Sequence, residues 1–338
     1  MSRINAFLEL VIRQGGSDLH VVSGLTPRAR ILGGLEPIRF RELSAEEIQR
    51  ILSEFMTAEQ RGTYERNKHV DFSYVVEGLG RFRVNVYQHM RGIAAAIRVI
   101  PTKIPTIEEL GLPSVITSSV SNPRGLTLVT GPTGSGKSTT LAAMVDHINR
   151  TRRGHIITIE DPVEFVHEYK SCVVTQREVG VHARSFAEAL KHALREDPDV
   201  ILVGEMRDLE TIHLALTAAE TGVLVLGTLH TNGAVRSIER LISVFPARIQ
   251  EQVRSIIAES LRMVVSQQLV VRADGSGRLA VPEILINNQS CSSMIRGGRS
   301  HQLVSVIQSG ARAGMQGLDA NLQELVRKEV ITGEEAYE

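Results

Sequence analysis

The sequence predicts an α/β protein in which a parallel-sheet domain carrying a phosphate-binding loop follows a small α+β domain. Three observations predict it. Residues 131–138 read Gly131, Pro132, Thr133, Gly134, Ser135, Gly136, Lys137, Ser138, a complete phosphate-cradling pattern. Beyond about residue 121, apolar runs alternate with segments of helical period, the rhythm of a parallel sheet. Before residue 100, period-two alternation dominates instead, and 338 residues are long for a single core.

The loop lies in the context its chemistry requires. Leu126 through Thr130 form an apolar, β-branched strand candidate between Gly125 and Gly131. After the loop, Leu141, Met144, Val145 and Ile148 recur at helical spacing. The glycines let backbone N–H groups turn inward around phosphates, and the helix N-terminus adds partial positive charge. The expected nucleotide-binding set runs from Gly131 through Thr139. Lys137 is expected to reach the β- and γ-phosphates of a nucleoside triphosphate, and the Ser138 hydroxyl to ligate Mg²⁺.

The first hundred residues read as the small domain. Strand patterns occur at Leu19–Val22, Ala29–Leu32, Gly80–Tyr87 and Gly92–Ile100. In Gly80–Tyr87, Phe82, Val84 and Val86 share one face, while Arg81, Arg83, Asn85 and Tyr87 share the other. Ser44 and Glu47 form a capping box that opens a helix through Ile48, Ile51, Leu52 and Phe55. Pro101, Pro105 and Pro113 punctuate a linker over 101–120, with one short helix expected at Thr106–Leu110. The domains are therefore expected at 1–100 and 121–338.

Within 121–338, further strands are expected at His155–Ile159, Val200–Val203 and Val223–Leu226, with helices at about 185–196 and 208–221. A long helix from roughly Arg248 to Gln268 is expected next. A hairpin-like turn at Ala273–Gly277 and a helical tail over about 282–338 complete the chain.

Binding is not hydrolysis, which also needs acids to position water and metal. Two acidic groups end predicted strands, where ligands collect in open α/β sheets. Glu160, Asp161, Pro162, Val163 and Glu164 follow the first strand, with Pro162 stiffening the loop. Glu164 is the candidate acceptor of a water proton. Glu205, after Val200–Val203 and Gly204, is the candidate for the Mg²⁺ shell. Arg207 and Asp208 are read as structural, capping the next helix. His230 stands past the strand at Val223–Leu226 and is placed to donate to the γ-phosphate. His147 and His213 are read as structural. The segment 78–107 holds Arg81, Arg83, Arg91, Arg98 and Lys103 without one acid. Arg83 and Arg98 are candidates to stabilise phosphate charge across a domain or subunit boundary, against the plainer reading of a basic strand face.

Composition bounds the alternatives. Lys plus Arg balance Asp plus Glu at 38 each, which argues against nucleic acid as the main partner. Aromatic residues are 4% and Trp is absent, so base-stacking platforms are scarce. No apolar run reaches the roughly 18 residues of a transmembrane helix, and no cleavable leader is evident. Cys172 and Cys291 lie far apart and cannot form a four-thiolate zinc site; two reduced thiols are expected.

Taken together, these residues resemble the type IV pilus retraction ATPase family within the secretion ATPases. The resemblance is carried by Gly16–His20, Arg81–Asn85, Gly125–Thr140, Thr158–Glu164, Gln176–Glu178, Ala193–Asp199, Ile201–Asp208 and Gly227–Thr231. It implies a PAS-like N-terminal domain joined to a RecA-like ATPase domain, with ATP and Mg²⁺ as ligands. It also implies a homohexamer in the cytoplasm, bound peripherally at the inner membrane to a pilus platform protein. On that pattern Glu164 is the catalytic base, Glu205 the Walker B acid and His230 the His-box residue, while Arg83 and Arg98 approach the nucleotide. The lack of a four-cysteine zinc site favours retraction over assembly.

Three segments depart from the family pattern. Val223 stands where a second His is usual, and Ser290–Gly297 keeps only Ile295 and Arg296 of the usual C-terminal motif. Val181–Arg184 replaces a more acidic stretch. An auxiliary or regulatory paralogue is therefore an alternative to a retraction motor, and a RecA-like nucleic-acid translocase a third.

Overall fold

The computed structural model describes residues 2–31, 33–101 and 103–337. The chain divides into two compact units, Met1–Lys103 and Ile104–Glu338. The first is built on β1 (Asp18–Val22), β2 (Arg28–Ile31), β3 (Gly34–Pro37), β4 (His69–Val76), β5 (Gly80–His89) and β6 (Gly92–Ile100). These form one antiparallel sheet in the order β3-β2-β1-β6-β5-β4. Helices α1 (Arg3–Arg13), α2 (Ala45–Ser53) and α3 (Ala58–Asn67) accompany it. Ile4, Leu8 and Val11 of α1 and Ile48, Ile51 and Leu52 of α2 share a core with Phe82, Val84 and Val86. The outward residues of β5 stay accessible, with Arg83 exposed and paired in register with Arg98 of β6. Leu32, the last residue of an expected strand, lies outside the described residues.

Local signals set the helix starts. The Ser44 hydroxyl accepts from the Glu47 N–H at 3.2 Å, and the Glu47 carboxylate accepts from the Ser44 N–H at 2.9 Å. Thr57 and Gln60 repeat the device at α3. That helix buries no residue, so hydrophobic periodicity carried no trace of it. The segment 106–110 forms a single turn rather than a helix. Thr106 caps it through the Glu109 N–H at 3.1 Å, and Gly111, at φ +67°, ends it.

The second unit carries a seven-stranded sheet. Its strands are β7 (Gly125–Thr130), β8 (His155–Glu160), β9 (Val173–Glu178), β10 (Val200–Val203), β11 (Leu224–Leu229), β12 (Leu261–Val271) and β13 (Arg278–Ile286). The order is β13-β12-β7-β11-β10-β8-β9, parallel except for the β12–β13 hairpin. Successive strand residues feed opposite faces. Leu128, Ile157, Ile201 and Val225 belong to one core, Val129, Ile156, Leu202 and Leu226 to the other. Both faces are covered, which is why these strands read as continuous apolar runs.

Helices α4 (Val115–Val120) and α5 (Lys137–Thr151) pack on one face. The other carries α6 (Phe186–Ala193), α7 (Leu209–Glu220), α8 (Ala234–Ser243) and α9 (Gln250–Ser260). Four more follow β13: α10 (Gln289–Arg296), α11 (Leu303–Ser309), α12 (Leu318–Arg327) and α13 (Gly333–Tyr337).

Three expectations are corrected here. The helix expected to Gln268 ends at Ser260, and Leu261–Val271 is a strand. Val264, Val265, Val270 and Val271 make that stretch β-branched, and most of its residues are buried whichever face they occupy. Residues 282–286 continue β13, so the helical tail begins only at Gln289. Much of the segment expected to be linker is core: Ile107, Leu112, Ile116 and Val120 are buried in the second unit.

Candidate nucleotide site

Strand β7 delivers the phosphate loop at its C-terminal end, and α5 begins at Lys137. Gly131, Gly134 and Gly136 all take positive φ. At Gly131 the need for glycine is also steric, since a Cβ would meet the Gln267 carbonyl oxygen at 2.3 Å. The Gln267 side chain, 1% exposed, braces the loop from β12. Its Nε2 donates to the Ser135 carbonyl at 2.6 Å, and its Oε1 accepts from the Thr140 hydroxyl at 2.9 Å. The loop is thus tied to β12, and so is the first turn of α5.

Lys137 folds over this loop, its Nζ donating to the carbonyls of Gly131 at 3.0 Å and Pro132 at 2.9 Å. Burial holds its ammonium below the usual lysine range, partly offset by the nearby charges of Glu205 and Glu164. Buried Ser135 Oγ has no protein partner, and Ser138 stands one position past the lysine. A buried hydroxyl without a partner, on a loop that leads into a helix N-terminus, suits a phosphate oxygen.

Glu164 sits on the segment after β8, where residues alternate. Val163, Phe165 and His167 are buried, while Glu164, Val166 and Glu168 are exposed. Glu160, at the end of β8, is pushed above the usual carboxylate range by burial. Hydrogen bonds from Thr158 at 2.6 Å, from Gln176 at 3.2 Å and from the Glu164 N–H oppose that rise.

On the neighbouring strands, Glu205 follows β10 and His230 follows β11. His230 Nε2 lies 3.0 Å from Glu205 Oε1, and Arg207 Nε donates to the same oxygen. Glu205, Arg207, His230, Thr133 and Arg240 line a cavity of about 480 Å³. Gly227 makes room beneath it, because a Cβ there would meet Met206 Sδ at 2.4 Å. The network continues from Thr231 to Ser237 at 2.6 Å and from Ser237 to Thr130 at 3.1 Å, tying the His230 turn to β7.

The Type II/IV secretion system protein family model matches residues 1–332. The chain belongs to that family. It is 50% identical over 335 residues to the type IV pilus retraction ATPase PilT of Pseudomonas aeruginosa, covering 99% of this chain and 97% of the relative. A twitching motility protein of Neisseria gonorrhoeae is 52% identical over 311 residues, 92% of this chain and 83% of that one. The crystal structure of the pilus retraction motor PilT with bound ADP superposes with a TM-score of 0.93 at 45% identity, covering 98% and 95% of the two chains. Within the secretion ATPases, the chain falls among the pilus retraction ATPases.

Several site residues had escaped sequence reading. Gln267 lay in a segment read as helix, and Arg240 carried no motif. Arg207, read as structural, pairs with Glu205. Asp208 does cap α7, accepting from the Thr211 N–H at 2.8 Å. Arg83 and Arg98 both stand in the first unit. The Arg98 guanidinium donates to Asp18 at 2.8 Å, and Arg83 is exposed beside it. Burial raises the Asp18 carboxyl, but Ser17 and Arg98 outweigh it and hold the acid below its ordinary range. Of the family departures, Val223 packs against the core under α7, and 290–297 forms most of α10, with Cys291 and Ile295 buried.

Proposed function

We propose that this protein is an ATP-hydrolysing motor of type IV pilus retraction, with Glu164 as the base that activates water. The observation that carries the reading is topological: the phosphate loop ends β7, Glu164 follows β8 and Glu205 follows β10, all at the C-terminal edge of one parallel sheet. In this scheme the loop amides and Lys137 hold the phosphates. Glu164 accepts the proton of the attacking water, and His230 donates to the γ-phosphate. Arg83 and Arg98 supply guanidinium charge across a subunit boundary.

The residues fit Mg²⁺. Among the described residues no cluster of three His, Cys, Asp or Glu forms a metal cage. A cation held by Ser138, by Glu205 in part through water, and by substrate phosphates needs no such cage. When bound, it neutralises charge on the β- and γ-phosphates.

We further propose a PAS-like domain over about 1–100 and a RecA-like ATPase domain after the linker, assembled as a homohexamer. The ring would act on the cytoplasmic side of the inner membrane, against a pilus platform protein. Among the described residues no helix is long and apolar enough to cross a membrane. Lys137→Ala should abolish nucleotide binding. Glu164→Ala should bind nucleotide but lose about 10²–10⁴-fold in turnover. Equal hydrolysis by wild type and Glu164→Ala would refute the assigned base.

The altered 290–297 segment favours one second reading, an auxiliary paralogue that modulates another motor. Gene deletion separates the two. Hyperpiliated, non-twitching cells indicate retraction, and normal piliation with normal twitching an accessory role.

A further inference from the structure

The loop that carries Glu164 is held by side chains of β9, outside the phosphate loop, and one of them makes most of the contacts. Gln176 lies on β9, in register with Thr158 of β8. Its Oε1 accepts from the His167 N–H at 2.8 Å, while its Nε2 donates to the Phe165 carbonyl at 2.9 Å and to Glu160 Oε1 at 3.2 Å. One amide thus grips the backbone on the C-terminal side of Glu164 and the carboxylate that receives the Glu164 N–H. Glu178, two positions along the same strand, accepts from the Val163 N–H at 3.1 Å on the other side.

The amide geometry matters more than its bulk. A donor and an acceptor facing one extended segment fix which residues of that segment point inward. With Phe165 and His167 inward, Glu164 must face out. A one-residue slip would bury Glu164 and expose Phe165.

We propose that Gln176 is the positioning residue that sets Glu164 for water activation, an inference that rests on Glu164 being the base. Its side-chain bonds go to His167, Phe165 and Glu160, outside the phosphate loop, and it acts through the register of the 163–167 segment.

Two variants of the full-length protein test it. Gln176→Leu keeps the volume and removes all three bonds. ATP turnover should fall about 10–100-fold, as for a base displaced by about an ångström, with nucleotide affinity retained. Gln176→Glu carries a carboxyl that only accepts when ionised, but again offers donor and acceptor when protonated. Beside Glu160 its ionisation is disfavoured, so the variant-to-wild-type ratio of kcat should rise as pH falls from about 8 to about 6.

Adding Gln176→Leu to Glu164→Ala should slow turnover no further, since both act on one step. If Glu164→Ala retains turnover, the base assignment fails. If Glu164→Ala is inactive while Gln176→Leu turns over like wild type, only the present inference fails. It also fails if the loss in Gln176→Leu is matched by an equal loss of nucleotide affinity. Should Gln176→Leu not fold, the pH ratio decides, and a flat ratio overturns the proposal.

Discussion

Replacing Gln267 by Leu tests how far the phosphate loop is shaped by a strand remote in sequence. The substitution keeps approximate volume but leaves two buried groups without partners, the Ser135 carbonyl and the Thr140 hydroxyl, the latter on a residue 1% exposed. Each orphaned group costs about 1–3 kcal/mol, so roughly 4 kcal/mol is expected in all. For a unit of this size that is a melting-temperature fall on the order of 8–16 °C. The assay is a thermal melt of the full-length protein with and without ATP, alongside equilibrium nucleotide binding. The sign of a second substitution makes the argument strict. Thr140→Val removes the hydroxyl that Gln267→Leu leaves unpaired, so the double variant should melt higher than Gln267→Leu alone. Additive destabilisation in the double variant, or wild-type melting of the single one, refutes the bracing role.

Other outcomes follow from the same geometry. Gly131→Ala places a Cβ 2.3 Å from the Gln267 carbonyl at a φ of +140°, and should abolish ATP binding in a filter or fluorescence assay while the protein stays folded. Asp208→Ala removes the cap that accepts from Thr211 and should cost about 1 kcal/mol in urea unfolding. His167, 8% exposed, is held down to about 4 by burial, against Asp146 and together with Lys170. Its folded pKa lies below its unfolded value near 6.5, so its contribution is constant above that pH. Stability is lost as pH falls from about 6.5 toward 4, because only the unfolded chain takes up the proton. At pH 5 the loss is about 2 kcal/mol relative to pH 7.5. His167→Phe should lack this loss; an equal pH dependence in the variant would rule the explanation out.

The parts of the site that were legible in sequence are those whose signal is local. The loop from Gly131 to Ser138, the acids after β8 and β10, and His230 after β11 each combine a residue type with a strand end, and both sit within a few positions of each other. What sequence hid is contributed from a distance. Gln267 binds residues that precede it by more than a hundred positions, and nothing in its neighbours marks it. Its strand was read as helix because Leu261–Val271 is buried on both faces, which erases the period-two alternation and leaves a run compatible with either element. β9, with a mixed burial pattern at the sheet edge, gave no periodic signal at all. α8 begins immediately after the His230 turn, with no side-chain cap of its own to mark its start. Its N-terminus is settled by Ser266 and Glu283, which accept from the Gly233 and Ala234 N–H groups at 2.8 and 2.6 Å.

These tertiary bonds give the second unit a division of labour. Helix α5 starts at Lys137 and ends its buried face with Asn149, whose amide donates to the Glu168 carbonyl at 2.6 Å and accepts from the Lys170 and Cys172 N–H groups at 3.2 Å. Asp146, on the same helix, pairs with Lys170 and Arg150. The helix that follows the phosphate loop therefore also anchors the far end of the Glu164 segment, while Gln176 and Glu178 anchor its near end from β9. By contrast, the His230 turn is held by β12 and β13, through Ser266 and Glu283. Glu164 thus belongs to one bonded set with the phosphate loop, and His230 to another with the C-terminal hairpin. The sets meet at Gln267, which joins β12 to the loop, and at the Ser237 hydroxyl, which joins α8 to Thr130. Helix α12 reaches the same hairpin, the Asn321 amide donating to the Pro282 carbonyl at 2.6 Å, and Pro282 stands in register with Gln267, so the hairpin that holds the His230 turn is also the one that braces the phosphate loop.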